Sequence, residues 1–207
     1  MSAPPVLISS TVPAASAIAE RLRDPMRLAR VSPWQSDTVG QLAVRPNKPA
    51  AVLVAIVLHP EPTILLTLRA SHLSSHAGQV AFPGGRIEAG ETPEQAAIRE
   101  AAEEIGLDPR LPEIVAILPE HLVGTGFRVT PVIAFLQPPF DLTPDPSEVQ
   151  EVFELPLSVV MDPLAPERKR AEFRGREREF WVWPHERHTI WGATAAMLVN
   201  LALVLRD

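Results

Sequence analysis

Apolar and polar positions follow two rhythms along this chain. From Ala50 to Leu58 the run is continuously apolar and rich in β-branched residues, the pattern of a strand buried on both faces. Thr63 to Arg69 repeats it after a turn at Pro60–Pro62, so the two segments predict a hairpin. Glu113–Leu118 and Arg128–Leu136 read as further strands, joined by a loop that carries Gly124 and Gly126. Helical spacing takes over in three places. Ala14 to Arg30 predicts one helix whose apolar stripe packs on the domain or on a second subunit. A second helix starts at Pro93, with Thr92 as N-cap and Gln95 as its capping-box partner, and runs through Ile105 to a stop at Gly106. The third, Thr189–Leu205, is apolar around most of its circumference. It falls short of the roughly 20 residues that span a bilayer and contains Gly192 and Asn200, so it predicts a buried helix.

The remaining segments are connections. Residues 1–13 are rich in Pro, Ser and Ala and read as loose, Val31–Pro49 is polar and loop-like, and Pro138–Pro146 is a proline-rich surface loop. Ser147–Leu157 suggests a strand edge before a short helix. Residues 164–180 are highly charged and predict a hairpin around Gly175, with Phe180–Trp183 as its apolar end, an insertion placed to cover a pocket.

Length and charge narrow the class. A chain of 207 residues with 46% hydrophobic content supports one substantial core, so the reading is an N-terminal extension, 1–45, with one helix, followed by a single domain, 46–207. The net charge is −6 with no basic block, which argues against a nucleic-acid surface and for a small-molecule substrate. No cysteine is present, so disulfides, Cys-based zinc sites and a thiol nucleophile are excluded. The N-terminus has neither a basic flank nor a continuous apolar segment, so no secretory signal, no membrane anchoring and a cytoplasmic location are expected.

The candidate chemistry sits on the Pro93 helix. A helical wheel gathers Ile98, Ala101 and Ile105 on one face and Glu100, Glu103 and Glu104 on the other. Such a charge run is either a solvated face or a cation site. Like charges at this spacing cost a few tenths of a kcal/mol per pair unless a cation lies among them, and hard divalent cations prefer carboxylate oxygens. The preceding loop, Phe82–Gly90, has Pro83, Gly84, Gly85 and Gly90, so its backbone can bend tightly next to a phosphate.

Gly85, five residues, Glu91, seven residues, then Arg99-Glu100-Ala101-Ala102-Glu103-Glu104-Ile105-Gly106-Leu107 resembles the complete Nudix box, with Ala101 where a larger aliphatic is common. The resemblance implies the Nudix fold, an α/β/α sandwich with a mixed β-sheet between α-helices, and hydrolysis of a nucleoside diphosphate linked to another group. It implies Glu100 and Glu104 as main ligands for Mg2+ or Mn2+, Glu103 as a further ligand or the base, Arg99 orienting the carboxylates, and the Gly85 carbonyl completing the metal shell. A carboxylate outside the box often assists in this family; Glu148 is the first candidate and Glu151 the second.

Leu65-Leu66-Thr67, Arg69-Ala70, Gly78 and Phe82-Pro83-Gly84-Gly85 look like the segment that marks Nudix coenzyme A diphosphatases. Thr125–Val132 and Ile190–Ala195 extend the likeness, while Ser74 stands where that signature has an arginine. Hydrolysis of coenzyme A to 4'-phosphopantetheine and adenosine 3',5'-bisphosphate is thereby implied, with Arg69 on the 3'-phosphate and Phe127 stacked on the adenine. Gln79 has a structural or a substrate-positioning role, His72 and His76 are nearby anion partners, and a homodimer is the expected assembly. Two other functions stay open: a Nudix hydrolase for ADP-ribose or a dinucleoside polyphosphate, and a non-catalytic binding module.

Overall fold

The computed structural model describes residues 13–33, 47–173 and 176–207; the 1–12 tail, most of the Val31–Pro49 connection and the Gly175 turn lie outside the described residues. In chain order the elements are α1 (Ala15–Arg23), α2 (Pro25–Leu28), β1 (Lys48–Val57), β2 (Thr63–Arg69), β3 (Val80–Ala81), β4 (Gly84–Arg86), α3 (Pro93–Ile105), β5 (Glu113–Ile117), β6 (His121–Leu122), β7 (Phe127–Leu136), β8 (Val149–Pro156), α4 (Leu157–Met161), β9 (Glu167–Phe173), β10 (Arg176–Trp183), β11 (Ile190–Trp191) and α5 (Gly192–Leu205).

The expected hairpin forms, with Ile56 opposite Ile64. Strand order is β3-β2-β1-β7-β5, and β1 runs parallel to β7 from Lys48↔Phe127 to Val57↔Leu136, so the sheet is mixed. Side chains alternate across it. Val54, Ile56, Ile64, Leu66 and Ile133 meet Ile18 and Leu22 of α1 and most of α5 on one face. Leu53, Ala55, Val57, Leu65 and Val132 meet Ala96, Ala97, Ala101 and Ile105 of α3 on the other. Burial on both faces explains the unbroken apolar run of β1 and completes the α/β/α sandwich.

The predicted N-terminal helix is two helices. Pro25 forces Asp24 out of the helical region, to φ −75° and ψ 114°, and the Asp24 side chain then accepts the Met26 amide as the N-cap of α2. The α1 stripe is consumed within the chain, since Ile18 and Leu22 are fully buried and α1 packs on α5 and β5. In α5 the two polar residues are satisfied: Thr194 donates to the Val80 carbonyl, and Asn200 exchanges hydrogen bonds with the Ser32 backbone. No helix among the described residues is long and apolar enough to cross a membrane. The charged hairpin β9–β10 forms, but β10 packs on α5 and β11, on the face opposite α3, rather than over the carboxylates of that helix.

One buried group sets a pH limit on the fold. His121 of β6 is fully buried with neither ring nitrogen hydrogen-bonded, and burial lowers its pKa to about 4. The unfolded chain takes up this proton below about pH 6.5 while the folded chain does not, so stability is intact above that pH and falls as pH drops towards 4. The total loss is about 3 kcal/mol. Denaturant unfolding at pH 7 and pH 4.5 should show His121→Leu losing less stability than the wild type over this interval; parallel losses would exclude the assignment.

Candidate active site

The glycine-rich loop predicted between Phe82 and Gly90 contains a strand, because β4 pairs with β1 through Ala51↔Gly85 and Val52↔Gly84. Two glycines there have different reasons. At Gly84, φ is 155° and a Cβ would lie 2.4 Å from the Ala51 carbonyl oxygen and 2.6 Å from Val52 Cα, so only glycine allows β4 to approach β1. At Gly85 a Cβ would lie 2.3 Å from Glu100 Oε1, so the absent side chain is the seat of a carboxylate. The two alanine variants should therefore separate. Gly84→Ala meets backbone and should cost more than about 2 kcal/mol of stability, by strain and overpacking. Gly85→Ala meets only the end of a flexible side chain, so it should melt near the wild-type temperature yet lose activity about tenfold or more as Glu100 is displaced. Thermal melts paired with rate assays read both outcomes, and a fully active Gly85→Ala would remove Glu100 from the site.

Helix α3 is built as its ends predict. Thr92 Oγ1 accepts from the Gln95 amide at 3.3 Å, Gln95 Oε1 accepts from the Thr92 amide at 2.9 Å, and Gly106 ends the helix at φ 65°. Its orientation differs from the wheel reading. The buried stripe is Ala96, Ala97, Ala101, Glu104 and Ile105, whereas Ile98 is only half-buried and lines a shallow groove with Glu88, Glu91 and Arg99. Glu104 thus lies within the apolar face, and Glu100 and Glu103 flank it with decreasing burial. The three carboxylates stay together as the wheel placed them, with Arg99 Nη1 bridging Glu100 and Glu103 and the Glu100 charge acting on Glu104, but the group borders the buried stripe and does not lie opposite it.

Glu104 is 3% exposed. Its Oε2 accepts from the Gly84 amide at 3.1 Å and its Oε1 from Arg69 Nη1 at 3.3 Å. Burial pushes its pKa up to about 7, against the Gly84 hydrogen bond and the Arg69 charge, with Glu100 and Glu148 pushing it further up. Glu100 is raised in the same way by burial first, opposed by Arg99 and reinforced by Glu103 and Glu148. Glu148 therefore belongs to the same electrostatic group, and its carbonyl accepts from the Ala70 amide at 2.8 Å, which fixes it at the end of β2. Glu151, the second candidate, is engaged elsewhere, by Arg187 at 2.6 Å and His188 at 3.3 Å.

Arg99 uses every donor it has. Nε and Nη2 bind Glu91 at 2.9 and 3.1 Å, Nη1 binds Glu100 and Glu103 at 3.0 Å each, and Nη2 also reaches the Arg86 carbonyl at 3.0 Å. This bonding raises the Arg99 pKa, chiefly through Glu91, and lowers that of Glu91. Glu103, on the other side of Arg99, is exposed.

The remaining candidates are placed as follows. Arg69 lies against Glu104, inside the carboxylate group, with its Nε buried and unbonded. Gln79 Oε1 meets His76 Nδ1 at 2.8 Å and the Gln79 carbonyl accepts from the Arg69 amide, so Gln79 is part of the framework of its loop. His72 meets the Ser147 carbonyl, and Ser74 is exposed. The half-buried Phe127 packs on the core cluster of the α5 face.

The sequence reading missed the Arg69–Glu104 pair and the Glu91–Arg99 fork. The fork had a signal, because Glu91 is a fixed position of the box with no other role assigned to it.

Among the described residues no three acidic or imidazole groups surround one point at ligand distance, since Glu100 meets Arg99 and Glu104 meets Arg69. The donor chemistry nevertheless fits a hard divalent cation: two half- to fully-buried carboxylates and the nearby Glu148 supply oxygen ligands whose mutual repulsion a cation would relieve.

The NUDIX domain family model matches residues 47–184. The chain is 40% identical over 163 residues to an uncharacterized Nudix hydrolase NudL of Salmonella paratyphi B, covering 76% of this chain and 82% of that protein, and equally to the NudL of Salmonella newport. Among solved structures, RenU, a Nudix hydrolase of M. smegmatis, aligns at 30% identity with a TM-score of 0.46, over 53% of this chain and 70% of that one.

Proposed function

Since the chain belongs to the Nudix hydrolase family, which acts on nucleoside diphosphate derivatives, we propose that it hydrolyses coenzyme A or its derivatives to 4'-phosphopantetheine and adenosine 3',5'-bisphosphate. The observation that carries the reading is the carboxylate group itself, in which Glu104 and Glu100 are seated against Gly84 and Gly85 within the field of Glu148. A pure binding module has no need to bury acids in this way, at a desolvation cost that their single guanidinium partners offset only in part.

Glu100 and Glu104 would hold Mg2+ or Mn2+, with the Gly85 carbonyl as a further ligand. Such an ion supplies neutralisation of the diphosphate and a lower pKa for the attacking water. Arg99 fixes Glu100 while Arg69 and the Gly84 amide fix Glu104, so both carboxylates are held before substrate arrives. Glu148 or Glu103 accepts the proton as water attacks phosphorus and the bridging P–O bond breaks. Glu148 is the better placed, because its charge acts on both Glu100 and Glu104, whereas that of Glu103 acts on Glu100 and its carboxylate is held by Arg99.

A panel of coenzyme A, ADP-ribose and a dinucleoside polyphosphate, assayed with Mg2+ or Mn2+ and resolved by chromatography, tests the reading. Coenzyme A should give the highest kcat/KM. The exposed Ser74, where the subgroup signature has arginine, favours the second reading, and a higher kcat/KM on ADP-ribose or the dinucleoside would establish it. No hydrolysis of any diphosphate would leave a binding module.

A further inference from the structure

A second concentration of chemistry lies at the opening of β1, on the face opposite α3. Lys48 and Phe127 are register partners of the parallel ladder, and Arg86 sits on β4 opposite Ala50. Lys48 Nζ lies 5.5 Å and Arg86 Cζ 5.8 Å from the Phe127 ring centroid. Both cations are exposed, and among the described residues neither has a carboxylate partner. Two like charges held on one ring repel, and the ring quadrupole alone compensates only weakly at an exposed position. An anion between them would complete the cluster.

The position of this cluster relative to the carboxylates identifies the anion. Successive residues of a strand face opposite sides, so Gly85 meets Glu100 while Arg86 turns to Phe127. Among the described residues β4 pairs only with β1, leaving its outer edge as a narrow wall between the two groups. A ribose carrying a diphosphate on its 5' oxygen and a monophosphate on its 3' oxygen presents two anions on different sides of one sugar. Such a nucleotide can straddle β4. We infer that Lys48 and Arg86, oriented by Phe127, form the subsite for the 3'-phosphate of the substrate, an inference that rests on the coenzyme A reading. Arg86 offers a bidentate fork and Lys48 a point charge to the monoester dianion, while Arg69 is engaged by Glu104. On this assignment the Phe127 ring holds the two cations and does not stack on adenine.

The test uses the full chain and its Lys48→Ala/Arg86→Ala double variant, with Arg110→Ala, an exposed residue paired to Asp108, as a control for the loss of a surface cation outside the cluster. The ratio of kcat/KM for coenzyme A to that for dephospho-coenzyme A should fall roughly tenfold or more in the double variant and hold in the control. An unchanged ratio in a double variant that melts like the wild type overturns the subsite. Calorimetric titration with adenosine 3',5'-bisphosphate in EDTA gives a readout that needs no turnover. Wild-type binding lost in the double variant supports the subsite even if no diphosphate is hydrolysed, a result that would sink the coenzyme A reading alone. Equal binding by both proteins, or binding by neither, overturns the subsite.

Discussion

Glu104→Gln should lower turnover of a nucleoside diphosphate by about a thousandfold at saturating Mg2+, while the protein still folds. The substitution is nearly isosteric at a position that is 3% exposed, so the buried stripe of α3 keeps its packing, and an amide oxygen can still accept from the Gly84 backbone. What disappears is the negative charge. A metal held by one carboxylate fewer would supply less neutralisation to the diphosphate, a contribution of several kcal/mol, and 4 kcal/mol is about three decades in rate. Rate assays should be paired with Mn2+ titration followed by electron paramagnetic resonance, where the variant should bind the ion at least tenfold more weakly. Full turnover in Glu104→Gln would remove this residue from the metal site.

Arg69→Ala should be the more revealing variant, because the contact it breaks differs from the one its sequence context implies. The signature-like segment points Arg69 at a substrate phosphate, yet Nη1 lies 3.3 Å from the almost inaccessible Glu104 carboxylate. Removing the guanidinium leaves that carboxylate with the Gly84 amide as its remaining partner, and uncompensated buried charge costs about 2 to 4 kcal/mol. Divalent cation should restore much of this loss, since an ion bound to the carboxylates replaces the missing charge and stabilises the folded state by mass action. Thermal melts with and without Mg2+ should show a larger metal-induced rise for Arg69→Ala than for the wild type. The rate loss should be similar on coenzyme A and dephospho-coenzyme A. A loss confined to coenzyme A in a protein of normal stability would return Arg69 to the 3'-phosphate.

Signals local in sequence were legible before the structure. Thr92, Pro93, Gln95 and Gly106 encode both ends of α3 within its own residues, and the unbroken run of β1 encodes its burial. The fold follows from such segments. The orientation of α3 did not, because a wheel that weights Ile98 with Ile105 turns the helix towards its large side chains, whereas the stripe that meets the sheet is three alanines and Ile105 with Glu104 among them. Small residues let the helix approach closely, and that proximity is what buries the acid. Strand β4 was hidden in a glycine-rich loop because its glycines answer to Ala51, Val52 and Glu100, which lie far away in sequence. The same holds for Arg69 and Glu104, 35 residues apart, whose pairing no periodicity could have shown. Pro25 is visible in the sequence, and it alone accounts for the break between α1 and α2.

The saturation of Arg99 has a consequence for motion. Its five donors join Glu91 and the Arg86 carbonyl in the loop to Glu100 and Glu103 on the helix, and the Glu91 carboxylate also accepts from the Glu88 amide. A surface loop with Gly90 in its turn would ordinarily fray independently of the helix that follows it. Here it cannot open without abandoning several charge-assisted bonds at once. Arg86 to Glu104 should therefore open as a single cooperative unit, with its amides exchanging together at the rate of the helix in hydrogen–deuterium exchange, the behaviour of a preassembled wall and not of a closing flap.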